Sequence, residues 1–211
     1  MAALTPVDVL AAYRFGIFPM SHLREDPELF WVDPDMRGLL PIGGLHISRS
    51  LARRMRSGLY HVTFDTAFDL VMEGCADRSE TWINPEIFRL YKGLRDIGHA
   101  HSVEVWQGDT LVGGCYGVAI GGAFFGESMF SRATDASKVA LAYLIDRLRR
   151  SGFTLFDTQF LTPHLASLGG YELPRHSYRL RLQAATAQCV EFAVGPAPTA
   201  YDVIQLNGQT S

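Results

Sequence analysis

The stretch from Ser102 to Phe130 limits what this chain can fold into more than any other part of it. Ser102 to Trp106 alternates apolar and polar residues, Gly108-Asp109 supplies a tight turn, and Leu111–Ile120 and Ala123–Phe130 are two further runs rich in β-branched and aromatic residues. That pattern predicts a meander of antiparallel strands. The periodicity then switches: Asp135 to Ser151 has Val139, Ala142, Leu144, Ile145 and Leu148 on an apolar side, with Arg147, Arg149 and Arg150 near the C-terminal end, where the helix dipole favours cations. Gly152 stops this helix, and Thr154 to Asp157 reads as a short buried strand.

The flanking chain is less regular. Thr5-Pro6-Val7-Asp8 combines an N-cap, proline at the first helical position and an acid, and predicts a helix to about Phe15, ended by Gly16. Ile17 to Gly44 is rich in proline, glycine and aromatics without a steady period, so short strands at most are expected there. His46 to Ser57 spaces Ile47, Leu51 and Met55 as a helix and turns Arg49, Arg53, Arg54 and Arg56 outward. Tyr60–Phe64 reads as a strand, Asp65–Gly74 and Asn84–Ile97 as helices, Pro163–Leu168 as a helical turn, Tyr178–Leu182 as a strand, and the chain from Gly195 as a loosely held tail. The division this suggests is a small N-terminal α/β subdomain with the basic helix, residues 1–62, ahead of a main domain, residues 63–211.

Composition narrows the function classes. With 47% hydrophobic residues in 211, the chain can bury a substantial core, and its net charge of −3 excludes a protein coated in basic residues. Any nucleic-acid contact must come from a local patch, and Arg49 to Arg56 is the dense one. Cys75, Cys115 and Cys189 lie far apart with no CxxC spacing, which fits neither a disulfide framework nor a zinc knuckle and points to a reducing compartment. Without a leader pattern or an apolar run long enough to span a bilayer, a cytoplasmic protein is expected; a monomer is expected as well, although no motif in the sequence fixes the oligomeric state.

An antiparallel hairpin, a helix and a parallel strand, in that order, make an α+β class, with a mixed core sheet like that of the GNAT-type N-acetyltransferases. Fold alone does not give function. Four segments do more: Ala12 to Pro19 (AYRFGIFP), Gly98 to Trp106 (GHAHSVEVW), Phe125 to Ser131 (FGESMFS) and Phe156 to Gln159 (FDTQ). With Thr81-Trp82-Ile83 and His164 to Gly169 they cover nearly the whole chain, and in this order and spacing they resemble the leucyl/phenylalanyl-tRNA-protein transferases. Two positions depart from the family pattern: Met20 stands where many members carry a tryptophan that stacks on the terminal adenosine, and Thr162 where some have an asparagine.

The resemblance implies attack by the α-amine of a protein with N-terminal Lys or Arg on the ester of Leu-tRNA or Phe-tRNA, or less well of a Met ester, giving a peptide bond and a degradation signal. That ester is already activated, and an α-amine with a pKa of about 8 is partly neutral at physiological pH, so orientation carries much of the rate. Asp157 and Gln159 alternate on a strand and share a face. They are assigned to the catalytic centre, Asp157 orienting the amine and receiving its proton; the competing proposal sends the proton through the tRNA 3′-terminal hydroxyls. Glu127 sits in apolar company and needs a partner, which is either the cationic side chain of the acceptor or a structural bridge to Arg132. Cys115, Phe124 and Met129 match positions that shape the family's apolar donor pocket, though ordinary core packing would produce the same stripe. Trp82, with Met20, falls where the tRNA end is placed. Arg49, Arg53, Arg54 and Arg56 are candidates for the acceptor-stem phosphates, with a solvated helix face as the alternative.

No cofactor is expected. His99 and His101 share one side of a strand without a third ligand at sensible spacing, so they carry no metal assignment. Two other functions compete: an acetyl-CoA-dependent acetyltransferase, disfavoured because Ser131 to Lys138 has no glycine to cradle a pyrophosphate, and a non-catalytic tRNA-binding protein, disfavoured by intact Asp157, Gln159 and Glu127.

Overall fold

The structure is a computed structural model and describes residues 4–193 and 195–208. A seven-stranded mixed sheet is its centre, in the order β4 (His61–Phe64), β5 (Ala100–Gln107), β6 (Thr110–Ile120), β7 (Ala123–Ser131), β8 (Leu155–Gln159), β3 (Met36–Leu40) and β9 (Tyr171–Pro174). The expected meander is present as β5, β6 and β7, paired antiparallel through the two-residue turns Gly108-Asp109 and Gly121-Gly122. A short ribbon, β1 (Phe18–Met20) against β2 (Phe30–Val32), stands outside the sheet.

Helices cover both faces. On one lie α1 (Pro6–Arg14), α3 (Phe68–Ala76), α4 (Pro85–Asp96) and α7 (Arg175–Thr186), over a core that includes Val9, Tyr13, Met72, Leu90, Tyr91, Tyr116 and Phe125. On the other lie α2 (Arg49–Arg56), α5 (Ala136–Ser151), α6 (Pro163–Ser167) and α8 (Ala200–Gly208), over Phe124, Val139, Leu144, Leu148, Phe153 and Phe156. The local signals explain the ends. Thr5 and Asp8 form a reciprocal capping box on α1, and the Asn84 side chain accepts the Ile87 N–H at 2.8 Å to start α4. α5 carries no glycine or proline inside and ends at Gly152, left-handed at φ 87°.

Several expectations are corrected. Tyr178–Leu182 is not a strand but part of α7: Tyr178, Leu182 and Ala185 are buried at helical spacing, whereas Leu180, which a strand would bury with them, is 58% exposed. The tail beyond Gly195 contains α8, which packs on α2 and α5 through a fully buried Val203. β3, inside the stretch read as irregular, is an interior strand between β8 and β9, and the expected boundary at residue 62 falls within β4. β9 has no counterpart among the sequence expectations. Among the described residues no helix is long and apolar enough to cross a membrane, and Cys75, Cys115 and Cys189 are free thiols.

Candidate active site

Parallel pairing of β7 with β8 runs Ala123↔Leu155, Phe124↔Phe156 and Phe125↔Asp157 and then stops. Two local irregularities lie at that point. On β7, Tyr116 pairs Ser128 while the adjacent Gly117 pairs Gly126, so Glu127 is the extra residue of a β-bulge. On β8, Gln159 takes φ 58°, a left-handed conformation unusual for a residue with a side chain. The bulge also needs Gly117, because a Cβ there would collide with the Phe125 carbonyl. Where the strands part, a cavity of about 300 Å³ opens.

The cavity draws on both faces of the sheet. Cys115, Met129, Leu141, Leu144, Phe156 and Leu165 come from the α5 side and are apolar, whereas Tyr116, Glu127 and Gln159 come from the α1 and α4 side. Burial holds the Cys115 thiol protonated, its pKa pushed well up, so it acts as apolar lining. Met20 and Trp82, both half-buried, line the same space, with Phe18 and Phe160 set edge to face at 6.0 Å. Phe124 does not line it; this ring lies one layer behind, edge-on to Phe156 at 5.6 Å. Arg78 is at the exposed rim, bonded to the Met129 carbonyl and Ser128.

Glu127 is held by hydroxyls and an amide. Tyr13 Oη donates to Oε1 at 2.6 Å, Tyr91 Oη to Oε2 at 2.8 Å, and the Gln159 amide to Oε1 at 3.2 Å. The expected alternative bridge to Arg132 is absent, since Arg132 pairs with Asp77 at 2.9 Å. Burial raises the Glu127 pKa to about 7, against the lowering effect of the two phenols. Both phenols are themselves pushed far above their ordinary value, first by burial and then by this carboxylate, so they remain donors. Tyr13 and Tyr91 also approach each other at 2.6 Å.

Asp157 lies behind Gln159, fully buried, and outside the cavity lining. Its carboxylate accepts Arg37 Nε at 2.9 and 3.0 Å and Arg37 Nη2 at 2.7 Å, the Tyr178 hydroxyl at 2.6 Å and the Gln159 backbone N–H at 2.8 Å. The link between Asp157 and Gln159 is therefore through the backbone, which fixes the left-handed turn and aims the amide at Glu127. Burial alone would lower the Arg37 pKa, but Asp157 outweighs it and the net shift is upward, so the pair is ionic. Arg37 is sandwiched between the rings of Phe18 at 4.8 Å and Tyr178 at 4.6 Å and donates to the Gly16 carbonyl at 2.8 Å, tying the N-terminal motif to the site. Arg37, Tyr91 and Tyr178 are absent from the residues that the sequence singles out, and Tyr13 enters there only as part of the Ala12 to Pro19 segment, with no role assigned. A lone arginine amid Gly38, Leu39 and Leu40 is the available signal for the first.

Arg49, Arg53 and Arg56 are exposed and Arg54 half-buried on α2, away from the cavity lining, and none forms an ion pair among the described residues. His101 binds Asp65 at 2.8 Å and His99 the Ala119 carbonyl at 2.8 Å, and no cluster of three or more metal-ligating side chains occurs among the described residues.

Residues 39–183 match the family model described as leucyl/phenylalanyl-tRNA protein transferase, and residues 2–35 match the model of its N-terminal domain. The chain belongs to the leucyl/phenylalanyl-tRNA-protein transferase family. The two models meet where β3 begins. Leucyl/phenylalanyl-tRNA-protein transferases of Cereibacter sphaeroides (strain ATCC 17025) and Ruegeria pomeroyi are 62% and 58% identical to it, each over 99% of this chain and over 98% and 100% of the relative. Among solved structures, L-PGS from Bacillus licheniformis gives a TM-score of 0.41 at 14% identity, covering 76% of this chain and 55% of that one, a likeness too distant to carry an inference. This transferase is thus an enzyme that moves an amino acid from tRNA to protein.

Proposed function

We propose that the transferase seats Leu, Phe and less well Met esters of tRNA on the α5 side of the cavity and an N-terminal Lys or Arg of the acceptor protein on the Glu127 side, with the α-amine and the ester meeting between them. The observation that carries this is the single opening between β7 and β8, apolar from one face of the sheet and acidic from the other. Cys115, Met129, Leu141, Leu144 and Phe156 suit a side chain unbranched at Cβ, and a pocket of that kind separates substrates by only about 1–3 kcal/mol per methylene, so several apolar donors pass. Phe124 shapes this wall from behind. Trp82 and Met20 offer a ring face and a polarisable sulfur to the terminal base, and the α2 arginines track acceptor-stem phosphates without reading sequence.

In the reaction the amine nitrogen bonds to the ester carbonyl carbon and the bond to the ribose oxygen breaks. The amine gives up one proton and the ribose oxygen gains one, so the step needs no net base. The Asp157 oxygens accept five hydrogen bonds and have no place for that proton. This favours delivery to the leaving ribose oxygen, with Gln159 orienting the amine through its amide oxygen and Asp157 acting as a positioning residue through Gln159. The hairpin β6–β7, helix α5 and parallel β8 support a GNAT-type core, and three free thiols support a reducing, cytoplasmic setting. The test is direct: charged Leu-tRNA or Phe-tRNA incubated with Arg-initiated and Glu-initiated peptides. Product is expected from the Arg peptide alone, and equal transfer to both removes the role of Glu127.

A further inference from the structure

Tyr116 is 1% exposed, lines the cavity, and its hydroxyl has no hydrogen-bond partner. Buried hydroxyls are nearly always paired, and an unpaired one at a site is a group waiting for something. The ring is fixed by packing alone, edge to face against Tyr91 at 5.7 Å and Phe68 at 5.8 Å, on the same side of the sheet as Glu127. Tyr91 in turn bonds Glu127, so the idle hydroxyl and the carboxylate belong to one aromatic cluster.

The polar atoms left unused here can all accept a hydrogen bond, although the Tyr116 hydroxyl and the equally unpaired Thr158 hydroxyl also keep a proton to donate. An ionised Glu127 has about four lone-pair positions, of which three are taken by Tyr13, Tyr91 and Gln159. The Gln159 amide oxygen accepts nothing among the described residues, and the Tyr116 oxygen is free to accept. A set in which every atom can accept, bounded by tyrosine rings, suits a group that has only donors, and an ammonium or guanidinium is such a group. Arg78, the cation already lining the cavity, is at the rim and engaged with Met129 and Ser128, so it does not fill this place.

We infer that Tyr116 is a specificity-determining residue whose hydroxyl accepts a hydrogen bond from the cationic side chain of the acceptor's first residue, beside Glu127. This rests on the reading of Glu127 as the acidic selector. It assigns to the bound cation a second, neutral acceptor that a carboxylate alone does not give, and it gives a use to a buried phenol at a place where phenylalanine would pack as well.

The test compares wild type with Tyr116→Phe, using charged Phe-tRNA and peptides that begin with Lys, with norleucine as its uncharged counterpart, and with Arg. The variant keeps the ring and loses an unpaired buried hydroxyl, so its thermal midpoint is expected to be unchanged or raised. With a hydrogen bond to a charged group removed, kcat/KM for the Lys and Arg peptides is expected to fall roughly ten- to hundred-fold, mainly in KM. The KM for charged tRNA should stay constant, and the Lys-over-norleucine preference should shrink by the same factor. If wild type prefers Lys over norleucine and Tyr116→Phe leaves that preference intact, the role of Tyr116 is overturned while that of Glu127 stands. If wild type shows no preference, the acidic selector itself is wrong and Tyr116 goes with it. A lowered thermal midpoint also overturns the inference, because the hydroxyl would then serve the free fold.

Discussion

Replacing Arg37 with methionine leaves Asp157 fully buried with only the Tyr178 hydroxyl and the Gln159 N–H as donors, since Arg37 supplies three of its five hydrogen bonds. With side-chain exposures of 1% and 0%, the pair is as dry as such a pair becomes. Removing one partner from a buried ion pair costs about 3–5 kcal/mol, most of it the uncompensated charge left behind. For a chain of this size, where 1 kcal/mol moves Tm by about 2–4 °C, the expected fall is roughly 6–20 °C. Asp157→Asn strands the guanidinium instead and should cost a comparable amount. The double variant Arg37→Met with Asp157→Asn should lose clearly less than the sum, by at least about 1 kcal/mol, because neither charge is then left alone. Denaturant unfolding followed by circular dichroism and tryptophan fluorescence gives the four free energies of the cycle. Strictly additive losses, or a cost below about 1 kcal/mol for Arg37→Met, refute the claim that this pair anchors the site.

Glu127 carries a pH signature with a defined sign. Its pKa of about 7 in the folded protein lies above its ordinary 4.5, so in that window the folded state holds more protons than the unfolded chain and stability falls as pH rises. Glu127→Gln removes this dependence, and its stability relative to wild type should rise from pH 4.5 to pH 7 by an amount on the order of 1–3 kcal/mol, read from denaturation midpoints; a flat difference contradicts the shifted carboxyl. Reversing Arg49 or Arg53 to glutamate should raise the KM for charged tRNA and reduce its salt dependence by about one unit of slope for each phosphate no longer neutralised, with Tm unchanged. An unaltered KM would make α2 a solvated face. Gly117→Ala should destabilise by about 3 kcal/mol or more, because the added methyl meets the Phe125 carbonyl and the Phe124 ring at the bulge; a soluble variant of normal Tm would show that the strand can move aside.

Local signals are legible where they are complete. The Thr5 and Asn84 caps, the Gly108-Asp109 turn and the amphipathic period of α5 each fix their own element, and the structure has all of them. Tyr178–Leu182 misleads because five residues with alternating apolar side chains fit a half-buried strand as well as a helix, and only a helix lets Tyr178 reach Asp157 while Leu182 packs beneath it. β3 is hidden because a single arginine in a run of five breaks the apolar pattern of an interior strand, and its acid partner is 120 residues away. Glu127 stands out in the sequence as a charge needing a partner, yet Tyr13 and Tyr91, its actual holders, come from α1 and α4 and share no sequence pattern with it.

By itself, then, the sequence determined the family and the meander followed by a long helix and a parallel strand, because each of these is written in contiguous motifs. Only the tertiary structure decided that Asp157 is walled off by Arg37 and Tyr178 rather than open to substrate, that Phe124 stands behind the pocket, and that Tyr116 faces it with an idle hydroxyl. The physical reason is that burial and hydrogen-bond saturation depend on which atoms the whole chain brings together, and a carboxylate reads the same in sequence whether four donors surround it or none.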